Sequence, residues 1–198
     1  MANDKTLSTE SSSLVISTAY HEAGHAAASL VLGVGVRRVS IIPRNELDGS
    51  CSAGFVTYFS RFWKEATRRR CVRGQSSLRC RNQIEKKIKI SLAGRLAERR
   101  FLGGMPSSRS AVRDNLSIAY HLVLLSDQRN EINSWAQLLR VQTENLLESH
   151  WPLIEAIAKL LLTSWCLTNA QLKRIYNQQL HPKRDGIADH AYGSRVES

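Results

Sequence analysis

The sequence predicts a mainly helical domain of the α+β type, with a small β-sheet beside its first apolar helix. Three observations carry that prediction. Ile84, Ile88, Leu92 and Leu96 recur every four residues, which is the spacing of one helical face. Pro152 and the pair Thr168…Gln171 are helix-start signals that divide a leucine-rich C-terminal half into separate helices. Two short runs rich in β-branched and aromatic residues, 36–42 and 53–59, follow one another with a polar loop between them.

Taken in order, residues 1–16 are polar and Ser-rich and read as a mobile arm. The domain proper spans 17–180, and 181–198 reads as a polar, flexible tail. A length of 198 residues fits one domain with loose ends. The first helix is expected over about 18–32, with Ser17 or Thr18 as its N-cap and Gly33 as its breaker. Its residues are small: Ala23, Gly24, Ala26, Ala27, Ala28 and Ser29. Val36 to Ile42 reads as a strand that Pro43 ends, and Asp48-Gly49 is a turn signal. Ala53 to Phe59 reads as the second strand, pairing antiparallel with the first and offering an edge to an extended peptide. Further helices are expected over 81–101, 111–126, 130–148, 152–164 and 169–179. Leu146, Leu147, Leu153, Ile157, Leu160, Leu161 and Leu172 should form their core, with Trp135, Trp151 and Trp165 packed there.

The first helix carries Tyr20-His21-Glu22-Ala23-Gly24-His25, an H-E-x-x-H pattern. Residues four apart share a helical face, so His21 and His25 can aim both imidazoles at one ion. Neutral imidazole suits Zn²⁺, and one ion per chain is expected. Glu22 follows the first ligand and can take a proton from a metal-activated water. A chance histidine pair on a surface helix is the plainer reading. Against it, Glu22 is the only Asp, Glu, Lys or Arg between Tyr20 and Val36, and burying it without a use is costly.

A third ligand must come from elsewhere in the chain. Asp114 is expected in the first turn of the 111–126 helix, where a carboxylate is favoured by the helix dipole. Glu98, on the 81–101 helix, is its rival, and spacing alone does not choose between them. His121 and His150 stand alone and read as structural.

The net charge of +11 is concentrated in one place. Residues 61–100 hold 14 Lys/Arg against 3 Asp/Glu, and the remainder holds 14 of each sign. A nucleic-acid site rests on this segment alone; a solvated basic insert at 60–80 is the simpler account, because no nucleic-acid motif accompanies the charge. None of the four cysteines forms a C-x-x-C pair, and no cleavable signal peptide is recognisable, so reduced thiols and a cytoplasmic location are expected. Cys71 and Cys80 are a weaker metal-binding candidate. The longest apolar run, Ala26 to Val36, falls far short of the ~20 residues of a membrane span. The residues contain no G-x-x-x-x-G-K-[ST] phosphate loop.

Several blocks, in order, resemble the peptidase domain of the FtsH family of zinc metalloproteases (peptidase family M41). They are T-A-Y-H-E-A-G-H-A from Thr18, V-S-I-I-P-R from Val39, and the strand that Gly54 begins. They continue with L-A-G-R-L-A-E-R-R-F-L-G from Leu92 and S-A-V-R-D-N-L from Ser110. The resemblance covers about 18–180. It implies a helical peptidase fold with His21, His25 and Asp114 on zinc and Glu22 as base. It also implies that Glu98 orients a ligand histidine. Gly54, Phe55, Val56, Thr57 and Tyr58 would take the substrate backbone. The family's membrane helices and ATPase module have no counterpart in these residues, the 59–80 segment has no family match, and the Gly usual before the Asp segment is absent. The resemblance is to short, stand-alone members of the group. The expected substrate is therefore a peptide or unfolded protein segment. A homo-oligomer or a separate ATPase is the expected partner, and a catalytically silent zinc-stabilised scaffold is the alternative.

Overall fold

The computed structural model describes residues 3–45, 51–59, 78–104, 108–126 and 130–180. The basic stretch 61–77, with Cys71, and the tail 181–198 lie outside the described residues. The protein is mainly helical with a small antiparallel sheet, as the sequence predicts.

Helix α1 runs Asn3–Val31, much longer than the expected 18–32. No Pro or Gly interrupts the residues before Ser17, so a helix nucleated by the packed half can propagate backwards. Ser17 and Thr18 are consequently not caps. Their hydroxyls donate to the Leu14 carbonyl at 3.1 and 2.8 Å, back-bonding inside the helix. The C-terminal half is buried nearly all round: Ala19, Ala23, Ala26, Ala27 and Ala28 have no exposed surface. This explains its lack of charge.

Strand β1 (Val36–Ser40) follows, then the short pair β2 (Arg44–Asn45) and β3 (Cys51–Ser52), then β4 (Phe55–Tyr58). β1 and β4 pair antiparallel, with Val39 opposite Val56. A strand that sequence reasoning missed, β5 (Cys166–Thr168), pairs with the other side of β1. The order is β4-β1-β5, so β4 is an edge among the described residues. Three residues are too few to show an alternation, and β5 directly precedes a helix, which hides it in sequence.

The remaining helices are α2 (Leu78–Leu102), α3 (Ser108–Leu125), α4 (Glu131–Ser149), α5 (Trp151–Ser164) and α6 (Asn169–Leu180). Pro152 sits in the first turn of α5. One arm of the α6 capping box forms: the Thr168 backbone N–H donates to Gln171 Oε1 at 2.9 Å, and the Thr168 hydroxyl donates to the same oxygen at 2.8 Å. One core joins α1, the sheet, α5 and α6; it includes Leu147, Leu153, Ile157, Leu161 and Leu172 of the expected positions, and Leu146 and Leu160 pack against it half-buried. A second cluster, with Ile84, Ile88, Leu122, Leu125 and Leu139, welds α2 to α3 and α4. Trp135 packs on the second cluster and Trp151 on the first. Trp165, expected in the core, is 47% exposed. It caps α5 in the left-handed conformation (φ 59°), and its carbonyl accepts from the Ile41 N–H at 3.0 Å. Backbone geometry sets that position and swings the indole outward.

Cys80, read as a reduced thiol, is disulfide-bonded, whereas Cys166 is free. At 5% exposure Cys80 is enclosed in the second cluster, a position that sequence spacing gave no means of foreseeing.

Candidate metal centre

α1 and α2 cross closely because their contact is built from small residues. A Cβ added at Gly24 would lie 2.5 Å from the Ala93 carbonyl oxygen and 2.7 Å from Ala97 Cβ. The crossing places one face of α1, with His21, Glu22 and His25, under α2. All three are buried, at 3%, 5% and 8% exposure.

Each imidazole is fixed from behind. His25 Nδ1 lies 2.7 Å from the Ile90 carbonyl, which can only accept, so this nitrogen carries the hydrogen. His21 Nδ1 lies 3.0 Å from Glu98 Oε2, a fully buried acid whose carboxylate accepts the hydrogen. In the neutral tautomers both Nε2 atoms then present bare lone pairs. They face each other at 3.0 Å.

Asp114 completes the cluster. Its Oδ2 lies 3.1 Å from His21 Nε2 and 3.2 Å from His25 Nε2. Apart from the two imidazoles, this buried oxygen has no hydrogen-bond partner among the described residues. With both imidazoles neutral, three lone-pair atoms converge with no donor among them, and a proton or a metal ion between them relieves the repulsion. The triangle they form has its centre about 1.8 Å from each corner, slightly less than the ~2.0–2.2 Å of a zinc–nitrogen or zinc–oxygen bond. His21, His25 and Asp114 are therefore close enough to hold a metal ion.

The electrostatics agree with this geometry. For His21, burial alone would lower the pKa, but hydrogen bonds to Asp114 and Glu98 and the nearby Glu22 charge raise it to about 10. His25 behaves alike: burial opposes its charge, and Asp114 outweighs burial. Burial would raise the Asp114 carboxyl, but His25 and His21 hold it well below the usual carboxylate range. The protons so favoured occupy the place of a metal. Burial pushes Glu22 up despite the opposing pull of His21 and His25.

The expectation for Asp114 needs one correction. α3 begins at Ser108, so Asp114 lies in its second turn, where the helix dipole has little effect. What positions it is docking between helices. Arg95 Nη1 donates to Asn115 Oδ1 at 3.1 Å, and Ser91 Oγ to Ser117 Oγ at 3.2 Å, pinning α3 on α2 at either side of Asp114. Glu98 does not join the metal-facing triangle; it stands behind His21.

Gly54 brings the leading end of β4 to the site: a Cβ there would lie 2.7 Å from Glu22 Cγ and 2.8 Å from its Oε1. Phe55 lies under the Arg44 guanidinium at 4.4 Å, and Val56 and Thr57 pair with β1. Tyr58, at the far end, packs against the core; burial pushes its phenol up, against a hydrogen bond with Ser29. His121 and His150 stand outside the cluster, each hydrogen-bonded through Nδ1 to a carbonyl one turn back. Sequence reasoning missed the Ile90 carbonyl, and it read Gly94 only as part of a run small enough for close helix approach, not as lying against His25. The small run Ser91-Leu92-Ala93-Gly94 was the available signal, since it marks close helix approach.

Many basic residues of α2 are engaged within the molecule. Lys86 caps the end of α1 through the Leu32 carbonyl at 2.7 Å, Arg99 meets Glu144 at 3.5 Å, and Arg81 and Arg100 lie over Trp135 and Trp151. Neither a scan of protein-family models nor a search of curated proteins finds a match for this chain. No helix among the described residues is long and apolar enough to cross a membrane.

Proposed function

We propose that this chain is a zinc-dependent metalloendopeptidase, similar to the FtsH-type peptidase domain, acting on peptides or unfolded segments. The supporting observation is the convergence of two Nε2 lone pairs and one carboxylate oxygen, with a buried glutamate beside the first histidine. His21, His25 and Asp114 would hold the ion, three protein ligands as in catalytic zinc sites. When bound, zinc supplies Lewis-acid polarisation of a carbonyl and lowers the pKa of a bound water to about 7.

The chain's own residues supply the rest. Glu22 accepts the proton released from water and delivers it to the departing amine nitrogen as the peptide C–N bond breaks. Burial raises its proton affinity, which suits a group that must both take and return a proton. Glu98 and the Ile90 carbonyl hold the imidazoles in the tautomer that leaves Nε2 bare. β4 has one edge without a strand among the described residues, and Gly54 at its leading end touches on Glu22. An extended peptide pairing with that edge would lie beside the base. These 198 residues carry no phosphate loop, so any unfolding of folded substrates would have to come from outside them.

The test is hydrolysis of a quenched unstructured peptide by zinc-loaded protein, with Glu22→Gln as control. Turnover that disappears in Glu22→Gln while zinc content stays equal supports the reading. Equal turnover in both proteins, or none in either, rejects it. The second reading, a silent zinc-stabilised scaffold, is disfavoured by Glu22, because a structural site needs ligands but no buried acid beside them.

A further inference from the structure

Two glycines press on the chemistry of this site, and the nearest group differs between them. A Cβ built on Gly94 would enter the His25 ring, against Nε2 and at 2.5 and 2.8 Å from Cε1 and Cδ2. For a Cβ built on Gly54 the three nearest atoms all belong to Glu22, at 2.7, 2.8 and 2.9 Å from Cγ, Oε1 and Cδ. Real Cβ atoms essentially never come closer than 3.0 Å, so something must move in either case. Neither position is explained by backbone freedom, since only Gly33 and Gly103 take positive φ among the described glycines. What the chain needs at 54 and 94 is the absence of a side chain.

We infer that Gly94 and Gly54 are separate positioning residues, Gly94 setting the ligand His25 and Gly54 setting the base Glu22. The catalytic half of this inference rests on the peptidase reading; the geometric half does not. Gly94 lies on α2 one turn beyond Ile90, whose carbonyl accepts from His25 Nδ1, so the ring is clamped between a hydrogen bond and a bare backbone. It cannot yield to an added methyl group without leaving that carbonyl or the metal-facing triangle. Gly54 stands at the leading end of the edge strand, so the backbone that would receive a peptide is also the wall against which the carboxylate rests. A methyl group there displaces the carboxylate by about 1 Å and leaves the histidines untouched, and a misplacement of that size costs about 100-fold in rate.

The experiment uses the full chain and three readouts: zinc retained per chain after dialysis, thermal midpoint, and turnover of a quenched unstructured peptide. Gly54→Ala should hold as much zinc as wild type, with kcat down about 100-fold and KM changed less than about threefold. Gly94→Ala should bind zinc at least about tenfold more weakly. Midpoints supply a check that needs no activity. Gly54→Ala should lower the midpoint in wild type but not in Glu22→Ala, where the atoms it strikes are gone. Should Gly94→Ala fail to fold, Gly94→Ala with His25→Ala should fold, for the same reason. Equal midpoint losses from Gly54→Ala in both backgrounds, zinc loss in Gly54→Ala, unchanged zinc affinity in Gly94→Ala, or a double variant that still fails to fold would each overturn the inference. If wild type hydrolyses nothing, the peptidase reading falls, and the Gly54–Glu22 midpoint cycle still decides the geometry.

Discussion

His21 Nδ1 meets Glu98 Oε2 at 3.0 Å across 77 residues of chain, at the crossing of α1 and α2. The contact fixes which nitrogen of His21 is bare, and it makes Glu98 a support for the ligand rather than a ligand. Glu98→Gln keeps the shape and removes the charge. It should weaken zinc binding about 10–100-fold, as loss of an outer partner typically does. Competition with a zinc-binding dye measures it; unchanged affinity would remove Glu98 from the site's support.

Asp114→Ala should weaken zinc binding by more than Glu98→Gln, because it removes one of three converging donors. Metal analysis after dialysis decides this. Full zinc content in Asp114→Ala would mean that the third ligand is another group.

Acidity should act on metal-loaded and metal-free protein in opposite senses. The folded His21 pKa, about 10, lies above its ordinary 6.5. A histidine raised in this way stabilises the fold fully below about 6.5 and loses that contribution as pH rises through about 10. Asp114, held low, stabilises the fold above its ordinary 3.8 and loses the contribution as pH falls below that value. Chelated protein should therefore lose thermal stability steadily from pH 6.5 to 10. Zinc must displace those protons, so its binding releases protons at neutral pH and weakens toward acid. Thermal scans with and without chelator across this range test the point; a flat metal-free profile contradicts it.

The core should respond as a close-packed one. Ile157 is fully buried in the cluster that joins α1 to α5, and Ile157→Ala should cost about 2–5 kcal/mol. Leu138, 47% exposed on α4, should cost no more than about 0.5 kcal/mol when truncated. Urea unfolding of the two variants makes the comparison.

Much of the fold was legible because its signals are local. The four-residue repeat of α2, Pro152 in α5 and the Thr168–Gln171 box each depend on neighbours within a turn. Signals failed where a distant partner decided the outcome. β5 is a strand only because β1 lies beside it, and Trp165 faces outward because its carbonyl is needed by Ile41. The start of α1 was misplaced because capping residues also back-bond within a helix.

The same division runs through the candidate site. His21, Glu22 and His25 share a face because a helix repeats every 3.6 residues, and the sequence alone determined that much. Whether Asp114 or Glu98 completes the triangle lay beyond spacing, since both are acids on later helices. Helix packing decided it: Arg95–Asn115 and Ser91–Ser117 swing Asp114 to the Nε2 side, and the close α1–α2 crossing leaves Glu98 at Nδ1. Local periodicity can place two groups on one turn. Only the packing of separate helices fixes where a third group meets them, because that distance is set by side-chain volumes far apart in the chain.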